Sequence, residues 1–196
     1  MNFLKKNSYA IVKMLLNQFG IMIFAIILTA AASSAQNEAT RNGLMLAISI
    51  YSVLFYMALL YNMTWECGAK DRIRVDGGRD RRDLLAGLKM SLLAGIPNFL
   101  IVLLLLIGYL FGAAWGEAAW AQTMFAITHG VAKLAWESMY TGIVIACLPP
   151  ASVSAISPLY ILAYTLTILP ALGASVFGYL MGYYNRKIIP SRKSQA

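Results

Sequence analysis

Runs of about 20 apolar residues recur four or five times along this chain, near residues 9–32, 43–63, 84–112, 122–148 and 159–184. A helix of roughly 20 residues is what the hydrocarbon core of a bilayer requires for one crossing. Backbone N–H and C=O groups find no water at that depth, so each segment must satisfy them internally, as an α-helix does. Hydrophobic residues make up 60% of the chain and charged residues 12%, about half the 25% or so of an ordinary soluble domain. The runs consume nearly all of the 196 residues and leave no room for a separate soluble domain. The expected fold is therefore all-α: a polytopic transmembrane bundle forming one integral membrane domain over residues 1–196. A soluble enzyme is the weakest reading.

One polar stretch stands out against this background. Residues 65–83 read Trp65-Glu-Cys-Gly-Ala-Lys-Asp-Arg-Ile-Arg-Val-Asp-Gly-Gly-Arg-Asp-Arg-Arg-Asp and hold eleven of the chain's 24 charged side chains. Such a segment belongs in water, and the expectation is a cytoplasmic loop over residues 64–83. From residue 66 to residue 83 it carries six positive and five negative side chains. Near balance argues against a simple polybasic lipid clamp. It favours a lattice of internal ion pairs or a docking surface for a protein partner, with Lys70, Asp71, Arg72, Arg74 and Arg79 as candidate contacts. Gly77-Gly78 permits a tight turn. Nothing resembles a P-loop or a dinucleotide fingerprint.

Basic residues decide the topology. Lysine and arginine concentrate in the cytoplasmic flanks of membrane helices. If residues 122–148 cross the membrane once, the basic N- and C-terminal segments fall on opposite sides. If they enter and leave from one side, or lie along the interface, there are four crossings and both termini are cytoplasmic. Only Arg41 and Lys133 of the 16 basic residues then remain outside. Four crossings plus an external re-entrant or amphipathic segment, at about 113–157, is the expected arrangement. Two short crossing pieces within 122–148 would keep the same parity.

Several polar residues interrupt the apolar runs. The first run starts after Lys5 and Lys6 and contains Lys13, Asn17 and Gln18. Its apolar centre and the small residues Ser33-Ser34-Ala35 have the outline of a signal peptide. The long polar approach favours a retained helix instead. Tyr9, Lys13, Asn17 and Gly20 then share one face. Lys13 can snorkel to the interface, and Asn17 and Gln18 should face other helices because unpaired amides in hydrocarbon are costly. The second run carries Tyr51, Tyr56 and Tyr61 and leads to Trp65, an aromatic belt. In the third, Asp83 can cap the N-terminus, Pro97-Asn98 predicts a kink, and Gly108 and Gly112 have small-xxx-small spacing. The last run repeats this pattern, with Pro170 and then Gly178 and Gly182.

His129, Lys133 and Glu137 recur at i, i+4 and i+8, which puts them on one stripe of a helix. Ionisable groups at membrane depth line cavities or pair with one another. A stripe on an interfacial helix would instead lie in water. The candidate polar cavity is thus His129, Lys133 and Glu137, with Asn17, Gln18 and Asn98 supplying contacts or serving as interhelical glue. No nucleophile or acid–base set accompanies His129, so enzymatic activity is not expected. With one histidine and two isolated cysteines, Cys67 and Cys147, neither a metal site nor a disulfide is expected, and no cofactor is implied. The net charge of +8 lies on the flanks of apolar runs, where the lipid bilayer explains it and nucleic acid is not needed.

The motifs Lys13-Met-Leu-Leu-Asn-Gln-Phe-Gly20, Trp65-Glu-Cys-Gly-Ala-Lys-Asp71, Pro97-Asn98 and Gly182-Tyr-Tyr resemble a group of small bacterial multi-pass membrane proteins. The resemblance implies a bacterial plasma (inner) membrane location and no particular activity. A transport-related role is expected, as a small-solute or ion translocator or an accessory subunit. The alternative is a membrane scaffold or regulator that docks a cytoplasmic partner through residues 66–83.

Overall fold

The computed structural model of the protein describes residues 3–114, 118–130, 138–148 and 159–186. Among them there is no strand; helices joined by short turns make up the fold. Helix α1 (Phe3–Ser33) and helix α2 (Glu38–Asp76) form an antiparallel hairpin. Asn37 starts α2 by accepting a hydrogen bond from the Ala39 N–H at 2.9 Å, and Glu38 favours the positive end of the helix dipole.

Helix α2 corrects the expected loop over residues 64–83. Its 39 residues run unbroken from Glu38 to Asp76, a rod of about 58 Å. Charge takes a helix out of hydrocarbon but does not break it, and lysine, arginine, glutamate and alanine are good helix formers. Arg72–Asp76 and Arg74–Asp71 pair along the helix surface. The helix stops at Gly77-Gly78, where Gly78 takes a φ of 66°, a left-handed conformation that glycine adopts without penalty. The connecting turn is thereby reduced to residues 77–85.

The third apolar run divides into α3 (Ala86–Ala94) and α4 (Ile96–Ala114), bent by 50° about Gly95. Pro97 has no N–H for the Leu93 carbonyl, and its ring crowds that carbonyl, so the kink falls where the sequence places it. Asp83 accepts from the Leu85 N–H at 3.1 Å, just ahead of α3. The last run, α7 (Leu159–Leu166) and α8 (Ile168–Tyr183), is only nicked at Thr167. The Thr167 N–H still donates to the Ala163 carbonyl at 3.2 Å and the stretch Ile161–Tyr183 continues as one helix, although Pro170 leaves the Leu166 carbonyl without its helical donor.

Between these runs, α5 (Ala119–Gly130) folds back along α4. The Trp120 and Phe111 rings meet at 5.7 Å, and Thr128 fills the space that Gly108 leaves. A 3-10 turn (Ser138–Tyr140) and α6 (Thr141–Cys147) then wedge against the first hairpin. The Ser138 hydroxyl donates to the Met22 carbonyl at 3.1 Å, and the Gly142 N–H donates to Ser49 Oγ at 2.8 Å.

Helices α2 and α8 make the closest crossing. A Cβ at Gly178 would collide with Tyr61 and Thr64, one at Gly182 with the Trp65 backbone, and one at Gly68 with the Tyr179 backbone. Small residues on both partners let the two backbones approach, as in tightly packed membrane helices. Lys6 of α1 touches Asp71 of α2, and Trp65 Nε1–H donates to the Arg186 carbonyl at 2.7 Å. The start of α1, the end of α2 and the end of α8 thus meet at one charged end of the bundle.

Three helical stretches, Phe3–Ser33, Glu38–Asp76 and Ile161–Tyr183, are long and apolar enough to cross a membrane, and the bent pair α3–α4 makes a fourth. Large apolar side chains such as Leu16, Leu100, Leu103 and Phe177 project outward, an arrangement suited to lipid and costly in water.

Candidate functional site

The apolar bundle encloses a buried polar centre. Gln18, half-way along α1, is 3% exposed. Its side-chain amide donates to Asn98 Oδ1 at 2.5 Å, and its Oε1 accepts from the Tyr56 hydroxyl at 3.3 Å. Three helices therefore share one network. The contacts follow from local chemistry: Asn98 sits one residue past Pro97, so the kink aims the first turn of α4 at α1. Tyr56 belongs to a stripe on α2 that also holds Ser49, Ser52, Thr64 and Asp71, all buried and spaced to share one helix face.

A small cleft lies beside this network, lined in part by Gln18, Tyr56, Ser91, Gly95, Asn98 and Ile168. Its free volume of about 10 Å³ matches roughly one water molecule. Gly95 is the α3–α4 break and Ile168 is the first residue of α8, so the break and the start of α8 border the same neutral polar cluster. Among the described residues no carboxylate, ammonium or guanidinium group lines the cleft.

A second polar assembly occupies the charged end. Lys6 Nζ lies 2.9 Å from Asp71 Oδ1 and 2.5 Å from Asp80 Oδ2. Asp71, 7% exposed, also accepts from the Tyr179 hydroxyl at 3.0 Å and faces Arg74 at 3.5 Å. One lysine thereby ties α1 to α2 and to the following turn, with α8 joining through Tyr179. The Lys6 ammonium, and after it the Arg81 backbone N–H, hold the Asp80 carboxyl below the usual carboxylate range. Further out, Lys89 pairs with Asp83 at 2.7 Å, and Arg82 donates to the Tyr184 hydroxyl at 2.9 Å.

Of the six residues named for a polar cavity, Gln18 and Asn98 come together. Asn17, adjacent in sequence, points elsewhere and is half-buried. His129 is half-buried in the last turn of α5. Lys133 and Glu137 lie outside the described residues, so their stripe with His129 does too. In the charged stretch, Lys70, Arg72, Arg74 and Arg79 are exposed, whereas Asp71 faces inward. Cys67 and Cys147 are both free.

Tyr56, the α2 serines and the Lys6–Asp71–Tyr179 assembly were not legible as sites. Tyr56 reads as one member of an aromatic belt. The usable signal was the i, i+3, i+7 spacing of Ser49, Ser52 and Tyr56 inside an apolar run, which marks one polar face directed at other helices. No protein-family model, curated protein or solved structure matches the chain.

Proposed function

We propose that this chain is a transport-related protein of the bacterial plasma membrane, a small-solute or ion translocator or an accessory subunit of one. In this reading α1, α2, α3–α4 and α7–α8 are four crossings, both termini are cytoplasmic, and the segment from α5 to α6 is re-entrant from the far side. The observation that carries the proposal is the buried Gln18–Asn98–Tyr56 network at the proline-induced break between α3 and α4. An interrupted membrane helix presents backbone polar groups to a site near mid-depth, a recurrent feature of transporters. Irregular backbone at that depth is tolerated where it is buried in protein or lines a cavity.

The size of the cleft bears on the occupant. Room for about one water excludes an organic solute from this conformation, so a larger substrate requires the break to open. The docking alternative has less support, because Asp71, Asp76, Asp80 and Asp83 are engaged in ion pairs within the fold.

Flux into proteoliposomes tests the proposal, with sodium, potassium, protons and a panel of small neutral solutes as probes. The wild-type protein should pass at least one of them above protein-free vesicles. Asn98→Leu and Gln18→Leu should abolish that flux while inserting normally. Flux unchanged in both variants, or absent for every probe with folded wild-type protein, would overturn the translocator reading.

A further inference from the structure

The charge balance of residues 66–83 is not the balance of the surface they help to form. Lys6 arrives from α1 and Lys89 from α3, and between them they engage Asp71, Asp80 and Asp83. Arg72 engages Asp76. Of the five acids in the stretch, Glu66 is the one left exposed without an ion pair among the described residues. On the other side of the count, Lys5, Lys13, Lys70, Arg79, Arg81 and Arg186 are all exposed, and no carboxylate among the described residues pairs with any of them. Asp71 is thus turned inward and Asp80 and Asp83 are half-covered, while the unpaired basic side chains face outward.

The position of that surplus identifies its counterpart. Lys13 of α1 and Lys70 of α2 both lie within electrostatic reach of the Cys67 thiol, as do the Asp71 and Glu66 carboxylates. Of these, Asp71 is buried and paired with Lys6, and the two ammonium groups come from different helices to one exposed neighbourhood. Lys13 emerges among Tyr9, Val12 and Leu16, which are 78%, 52% and 63% exposed. These are side chains for hydrocarbon and its boundary, where a soluble protein does not reach. Trp65, Tyr183 and Tyr184 lie at the same end and are the residue types that settle at headgroup level. A lysine rising from an apolar surface at that level meets phosphodiester groups.

We propose that the charged end binds anionic phospholipid headgroups, seated on Lys13 and Lys70 at the lipid boundary and extended by Lys5, Arg79, Arg81 and Arg186. The inference is independent of what the protein moves. Full-length protein in nanodiscs tests it, by native mass spectrometry of retained lipid and by thermal unfolding, with phosphatidylglycerol and phosphatidylcholine compared. Phosphatidylglycerol should be retained preferentially and should raise the unfolding temperature, with the preference fading at high salt. Lys13→Gln together with Lys70→Gln should weaken the preference by about 25-fold, roughly fivefold for each lysine. Arg41→Gln, at the opposite end, should leave it unchanged. Equal retention of the two lipids by the wild-type protein would overturn the proposal, whatever the stability of the variants. So would reproduction of the thermal shift by inorganic phosphate at matched ionic strength, or by a soluble acidic peptide.

Discussion

The Gln18 side-chain amide donates to Asn98 at 2.5 Å, and this one bond ties the middle of α1 to the break between α3 and α4. Both residues are buried. Removal of one partner alone takes from the other a hydrogen bond that the interior must replace, a more costly change than removal of both.

Gln18→Leu should therefore destabilise the protein by about 1–3 kcal/mol, since it leaves Asn98 and the Tyr56 hydroxyl without the partners it supplied. Asn98→Leu should cost a similar amount, and the double variant less than the sum. Denaturant titration in detergent of the four-member cycle gives the coupling, expected at about 0.6–1.7 kcal/mol as for other interhelical hydrogen bonds in membranes. Strict additivity would mean that the bond contributes nothing.

The α2–α8 crossing predicts a sharp contrast between two glycines of one helix. Gly182→Ala drives a methyl into the Trp65 backbone, and nothing there is a flexible side-chain end. A loss of about 1–3 kcal/mol is expected, as for other overpacked sites. Gly173→Ala meets nothing within 4 Å and should be neutral or stabilising by up to about 1 kcal/mol. Unfolding temperatures of the two variants, measured side by side, provide the check.

At the charged end, Lys6→Met should be more damaging than its place in the first turn of a helix suggests. It withdraws the nearest cation from Asp71, whose side chain is only 10% exposed, and leaves the farther Arg74 to compensate. Breaking a buried pair in this way costs about 3–5 kcal/mol, a figure to be reduced here because Lys6 itself is part-exposed. Lys6→Met combined with Asp71→Leu should recover much of the loss.

Asp80 gives the pH dependence. Its folded-state pKa lies below the ordinary value, with Lys6 as the main cause. The folded state therefore holds the ionised carboxylate more strongly than the unfolded chain does. Its contribution is fully present above the unfolded pKa, near pH 4, and is lost as pH falls through the lower folded value. Asp80→Asn should flatten the acid limb of a stability-versus-pH curve while leaving its shape near neutrality unchanged. An unaltered acid limb would remove Asp80 from the account.

The four-crossing arrangement is testable with single cysteines placed in a Cys67→Ser, Cys147→Ser background. A membrane-impermeant maleimide should label Ser34→Cys in intact cells and Arg79→Cys only after permeabilisation. The reverse pattern would invert the topology. Labelling of both from one side would refute the α2 crossing.

Much of the fold was legible because hydrophobic length and proline chemistry are local. Four of the apolar runs reappear as helices or helix pairs, and Pro97 announces the 50° bend within a turn of its own position. The extent of α2 was not legible, because a change from apolar to charged residues reads as a change of structure when it is only a change of solvent. Helix propensity continues through residues 64–76, and only Gly77-Gly78 ends it. The site was half legible. Gln18 and Asn98 stood out as amides in apolar runs, but their pairing joins residues 80 positions apart. The Lys6–Asp71 bond likewise joins distant segments, and charge balance along the chain could not foretell which acids would turn inward.

The unbroken length of α2 has a mechanical consequence. Tyr56, in the buried polar network, and Asp71, in the ionic assembly, are side chains of the same rod, about 22 Å apart along its axis. No hinge separates them. A tilt of α2 that loosens Tyr56 from Gln18 must also swing Asp71 relative to Lys6 and Tyr179. The helix acts as a lever, and the strength of the ionic grip at one end sets how readily the polar centre can open at the other.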